Sequence, residues 1–172
     1  LLAAADFDWV GAEAAYRRAV QLAPNDGNAL HNLGLQLAML GKVEEASALT
    51  RRALGTDPLN SNWQLWLAIE LSALGRLDEA EQSIRKAMEL QPKAEGYGSV
   101  LAIIAIQRGD AKTALAAANQ EPPGPWRDVA VALARQIGGD PAAADAALQV
   151  LIDKWANAPF QVAEVYALRR DP

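Results

Sequence analysis

Gly41, Gly75 and Gly109 stand 34 residues apart, and so do Ala12, Ala46, Ala80 and Ala114. Ala19, Ala53 and Ala87 keep the same step, as do Pro24, Pro58 and Pro92, and Leu33, Leu67 and Leu101. Five series on one period describe a chain that repeats a single structural unit, and a period of this length signals stacked supersecondary units. Each position has a mechanical reason. Leu30, Leu33, Gly34 and Leu37 are spaced by three or four, which places them on one face of a helix. Gly41 ends that helix, because glycine takes the left-handed conformation of a C-terminal cap at no steric cost. Val43-Glu44-Glu45-Ala46 opens a second helix, with carboxylates at its positive end. Asp57-Pro58 then stops it, since the residue before a proline is driven from helical angles.

The same plan recurs around Gly75, Asp78-Glu79-Ala80, Ala87 and Pro92, and no useful strand-type alternation occurs anywhere. The pattern predicts an all-helical chain, with helices near 9-22, 27-40, 43-56, 61-74, 77-91, 95-108, 111-119, 126-137, 141-157 and 160-169. Leu1 to Asp6 fall where the tail of a first helix would lie, and Phe160 to Arg169 form a first-type helix with no second. Both ends therefore read as cuts through repeats. One domain over 1–172 is expected, with a partial repeat at 1–26 and clear repeats at 27–60 and 61–94. A shortened repeat at 95–124, a divergent one at 125–158 and an unpaired helix at 159–172 complete it.

The pattern resembles the tetratricopeptide repeat. Leu30, Leu33, Gly34, Leu37, Ala46, Ala53 and Pro58 match its signature positions, with Thr50 where an aromatic is usual. Trp9, Ala12, Tyr16, Ala19 and Pro24 match a second helix of the same kind. The resemblance implies a right-handed superhelical solenoid of antiparallel helix pairs, about five repeats long, that binds protein or peptide. A second resemblance rests on Phe7-Asp8-Trp9, Arg17-Arg18-Ala19 and the run from Phe160 to Ala167. These are similar to stretches of bacterial multidomain regulators that join such arrays to nucleotide cyclase, winged-helix or kinase domains. It implies a sensing or docking element within a larger protein.

Composition excludes several chemistries. The chain has no cysteine and one histidine, which removes thiolate nucleophiles and leaves imidazole metal sites and triads without partners. No cofactor is expected. Absent cysteine fits a reducing or an oxidising compartment equally. Sixteen basic residues against twenty-one acidic give a net charge of -5, and the basic ones occur singly or as isolated pairs such as Arg17-Arg18 and Arg51-Arg52. Nucleic acid, which is bound through clustered cations, is not an expected partner. No stretch approaches the ~20 apolar residues of a membrane span, so no insertion is expected. The acidic pairs Glu44-Glu45 and Asp78-Glu79 recur at helix starts, where dipole complementarity accounts for them without catalysis. Glu13 with Arg17, and Glu81 with Arg85, have the spacing of surface pairs on one helix turn.

In the resembled family the first helices line the concave face. Their ninth positions here are Leu35, Ile69, Ile103 and, after a register adjustment, Leu133. With His31, Met39, Leu65 and Ile106 they form a candidate groove, apolar where the family's carboxylate-gripping members place Lys, Asn and Arg. Two readings follow: a groove for a hydrophobic helix or extended segment, or side chains that curvature packs on one another. His31 reads either as a contact or as a packed ring. The last helix carries Phe160, Val162, Val165 and Tyr166 without a pairing helix, which makes them candidates for self-association and a homodimer. Trp126 is expected to anchor the helix after the proline cluster. Gly109 and Gly139 are only 30 apart, and the loss falls at Glu121-Pro122-Pro123-Gly124-Pro125. A divergent repeat that bends the stack and a notch for a partner both fit that cluster.

Overall fold

A computed structural model describes residues 8–155 and 159–169, with Phe160 and Gln161 by backbone alone. Ten helices follow one another among the described residues, with no strand. They are α1 (Trp9–Leu22), α2 (Gly27–Met39), α3 (Val43–Thr56), α4 (Ser61–Ala73) and α5 (Leu77–Leu90). The rest are α6 (Tyr97–Gln107), α7 (Ala111–Gln120), α8 (Pro125–Ile137), α9 (Pro141–Lys154) and α10 (Pro159–Arg169). By its contacts the chain divides into two compact units, Leu1–Gln91 and Pro92–Pro172.

In the first unit the repeat works as its residues dictate. Asp26 accepts hydrogen bonds from the Asn28 and Ala29 amides and starts α2; Asn60, one period on, accepts from Trp63 and starts α4. Both helices end alike. The Lys42 amide donates to Leu37 O and the Arg76 amide to Leu71 O, each at 2.9 Å, across Gly41 and Gly75 at φ 78° and 72°. These are the backbone bonds of a glycine-terminated helix, and they set the tight turn that brings the second helix back. Leu30, Leu33 and Leu37 of α2 meet Ala46, Leu49 and Ala53 of α3 in a buried cluster that also takes Trp63 of α4. Gly34 lets the helices close: a Cβ there would stand 3.2 Å from Ala46 O and from Thr50 Oγ1. Burying such leucines contributes about 1.5–3 kcal/mol each.

Ion pairs lace the second helices together. Arg17 on α1 reaches Glu45 on α3 at 2.8 Å, and Arg51 on α3 reaches Glu79 on α5 at 2.7 Å, the same pair one period later. The acidic helix starts thus serve neighbouring repeats as well as their own dipoles. Glu13–Arg17 and Glu81–Arg85 pair within their helices, at 2.8 and 2.6 Å. Such surface pairs add little to stability.

The second unit departs from the plan where the period is lost. Helix α7 has ten residues against fourteen in α3, α5 and α9, one turn short. The freed Glu121 turns inward and its carboxylate accepts from the amides of Gly96 and Ser99, at the start of α6. Gly96, the residue at that helix start, has no side chain to cap with and sits at φ 90°. Gly98 makes room, since a Cβ there would fall 2.8 Å from the Glu121 amide nitrogen and 2.9 Å from Ala117 O. Glycines 96 and 98 therefore admit a carboxylate from 25 residues away. Trp126 is 49% exposed and does not anchor α8. The unit's core lies instead among Val129, Ala132, Leu133, Leu148, Leu151 and Val165.

Candidate partner-binding face

In the first unit, α2 and α4 each divide their apolar residues between two faces. Leu30, Leu33 and Leu37, and Trp63, Leu67 and Leu71, are buried. Leu35, Leu65, Trp66 and Ile69 stay half-buried, and Met39 is 64% exposed. The two helices touch, and neither contains a Lys or an Arg. The outward strip is thus apolar, edged by the exposed amides of Asn32 and Asn62.

His31 belongs beneath that strip. Its ring is buried, 5.8 Å from the Trp63 ring and 6.5 Å from that of Trp66. Burial pushes its imidazole below the usual histidine range, so the ring is neutral at pH 7, and Nδ1 has no partner. Deeper still lie Gln36 and Glu70, equivalent residues one period apart and both buried. Thr50 Oγ1 donates to Glu70 Oε1 at 3.0 Å, while Glu70 Oε2 and Gln36 Nε2 have no partner. Burial raises the Glu70 carboxyl to about 7 against one opposing hydroxyl. Sequence reading passed over this pair. The available signal was a polar residue recurring at a 34-residue step between leucines that belong to the core.

In the second unit the candidate residues separate. Ile103 is 37% exposed and Ile106 half-buried, but Leu133 is core. Leu133 does not line an open face because α10 packs on α8 and Val165 shares its cluster. The same packing covers apolar side chains of α10 that the sequence offers as candidates for self-association. Val165 is fully buried, and Val162 and Tyr166 rest against the same core. Phe160 lies outside the residues whose side chains are described. Arg169 completes the attachment, donating to Gln136 Oε1 at 2.6 Å and pairing with Asp145 at 2.8 Å. Burial also raises the Glu164 carboxyl of α10.

Glu45 and Glu79 of the acidic pairs are engaged in ion pairs. Glu79 is held below the usual range first by Arg76 and then by Arg51, and Glu45 first by Arg17. Among the described residues no three His, Asp or Glu side chains gather as a metal site would require. No helix among them is long and apolar enough to cross a membrane.

Two models of the tetratricopeptide repeat match the chain, one over residues 37–104 and the other over 15–46. The chain belongs to the tetratricopeptide repeat family. A thermophilic tetratricopeptide repeat protein of Thermus thermophilus superposes with a TM-score of 0.79 at 18% identity, covering 95% of this chain and 92% of that one. MamA does so at 0.71 and 16%, over 98% and 94%. A mutant O-GlcNAc transferase of Thermobaculum terrenum matches at 30% identity and a TM-score of 0.57, over 66% of this chain and 23% of that one. No curated protein sequence matches. The tetratricopeptide fold implies a scaffold for protein–protein interaction, and such repeats generally are not enzymes.

Proposed function

We propose that this tetratricopeptide repeat protein captures an apolar helix or extended segment of another protein on the outward face of α2 and α4. The observation that carries the reading is the strip of Leu35, Met39, Leu65, Trp66 and Ile69. These residues keep solvent-accessible surface although Leu30, Leu33, Leu37, Trp63, Leu67 and Leu71 of the same helices are buried. Apolar area removed from water stabilises a complex by about 25 cal/mol per Å² before the costs of ordering. Helix-in-groove docking uses such side chains as its receptor surface. A ligand recognised chiefly by its carboxylate is disfavoured here, because neither helix offers a cation. Assembly through α10 is the weaker alternative, since Val165 has no surface left to offer.

The test is backbone-amide NMR titration with amphipathic leucine-rich peptides, comparing the wild type with Leu35→Ser, Ile69→Ser and the double variant. Shifts should concentrate in α2 and α4, and the double variant should weaken binding tenfold or more. Peptide that binds elsewhere, or with unchanged affinity to the double variant, would overturn the reading. Light scattering across protein concentrations supplies the control, with a monomer as the expected mass.

A further inference from the structure

The shortened helix α7 leaves a second feature that the apolar face does not explain. A solvent-open cleft of about 590 Å³ lies beside its last turn. Asn119 of α7 and Pro123 of the following loop form one wall. Arg127 and Asp128 of the first turns of α8 form another, and Lys154 and Trp155 at the end of α9 close it. A full-length α7 would carry about 6 Å more helix past Asn119.

The polar groups of the cleft are unevenly satisfied. Asp128 is engaged, accepting from the Trp155 indole N–H at 2.9 Å and facing the Lys154 ammonium at 3.7 Å. Among the described residues Arg127 donates to the Asn119 amide oxygen, a neutral acceptor, at a long 3.4 Å. Lys154 keeps 60% of its side chain exposed. The cleft therefore holds two cations and one carboxylate on a chain whose net charge is -5. Asp128 lies in the first turn of α8, where it complements the positive end of that helix, so the cations left to a ligand are the Arg127 and Lys154 side chains. Guanidinium presents a planar fork that matches a carboxylate in two parallel hydrogen bonds, which the single long bond to Asn119 leaves largely unused. Pro123 and the Trp155 ring supply apolar surface next to those donors.

We infer that this cleft binds an acidic side chain of an extended partner segment, with its carboxylate between Arg127 and Lys154 and a neighbouring proline or aliphatic residue against Trp155 and Pro123. The cleft is open to solvent, so a chain can run through it and the carboxylate need not be a terminus. The chemistry differs from that of the α2 and α4 face, and the two sites stand or fall separately.

The experiment titrates the intact chain with an acetylated, amidated peptide Gly-Pro-Glu-Glu-Pro-Gly while following the indole N–H resonance of Trp155. The expected result is a saturable shift that its glutamine counterpart does not cause. Affinity should weaken about tenfold in Arg127→Gln or Lys154→Gln, and also when salt is raised from about 50 to about 300 mM. Leu35→Ser with Ile69→Ser should leave it unchanged, which separates this site from the apolar one. Absence of a Trp155 shift with the glutamate peptide would overturn the inference. So would equal affinity for the glutamine peptide, or unchanged affinity of the glutamate peptide for the variant that combines Arg127→Gln with Lys154→Gln. Equal binding of the glutamine peptide with a free C-terminal carboxylate would overturn the assignment to a side chain. Far-UV circular dichroism of the variants checks that these surface changes leave the helices intact.

Discussion

Glu70 in the first unit and Glu121 in the second are equally hidden, each 2% exposed, yet they are held in opposite ways. Glu121 meets two backbone N–H groups at the start of α6. Glu70 lies mid-helix in α4 with one hydroxyl donor and one oxygen without a partner. A helix start provides orphan donors that a carboxylate satisfies, whereas a helix middle has spent its own on the backbone. One buried carboxylate therefore organises its surroundings while the other is an expense its neighbours must offset.

Three substitutions can break or sharpen that contrast. Glu121→Ala has the largest expected effect, a loss of about 3 kcal/mol in urea unfolding, because it leaves two amides at a buried helix start without an acceptor. Hydrogen exchange at Ser99 should accelerate with it. A loss below about 1 kcal/mol would mean that α6 does not depend on the distant carboxylate.

Glu70→Gln should act through pH. The folded-state pKa of about 7 lies above the ordinary 4.5, so the folded protein favours the protonated acid. Below pH 4.5 both states are protonated and Glu70 contributes no pH dependence. As pH rises toward 7 the unfolded chain ionises first, and the wild type loses stability until the folded group ionises too. The glutamine variant lacks that loss. Its stability relative to wild type should rise by on the order of 2 kcal/mol between pH 5.5 and 8.0. A pH-independent difference would show that Glu70 is ionised throughout.

Asn60→Ala is the smallest of the three. It removes the local cap of α4 and should cost about 1 kcal/mol, the ordinary worth of an N-terminal cap. If it matched Glu121→Ala, the distinction between a local and a long-range cap would disappear.

The helices were legible because their signals are short-range. Asp26 and Asn60 lie within three residues of the amides they cap, and Gly41 and Gly75 terminate helices through the three residues before them. The same logic fails at position 94, where the period puts an alanine without an acceptor and α6 begins at Tyr97. The burial of the candidate groove residues was legible only in part. Leu35, Ile69, Ile103 and Leu133 occupy equivalent places in the sequence, but they are not equivalent in surroundings. Leu133 is covered by α10, while Leu35 and Ile69 keep an open side.

By itself the sequence determined the repeat, the positions of its turns and the all-α fold, because these follow from backbone geometry and from apolar spacing that recurs every 34 residues. The tertiary structure alone decided that Glu121 caps α6, that His31 lies under Trp63 and Trp66, and that Val165 faces inward. The physical reason is that a side chain's burial and hydrogen-bond partners belong to neighbours brought together by folding. A periodic pattern specifies which face a residue occupies, but not what comes to cover it.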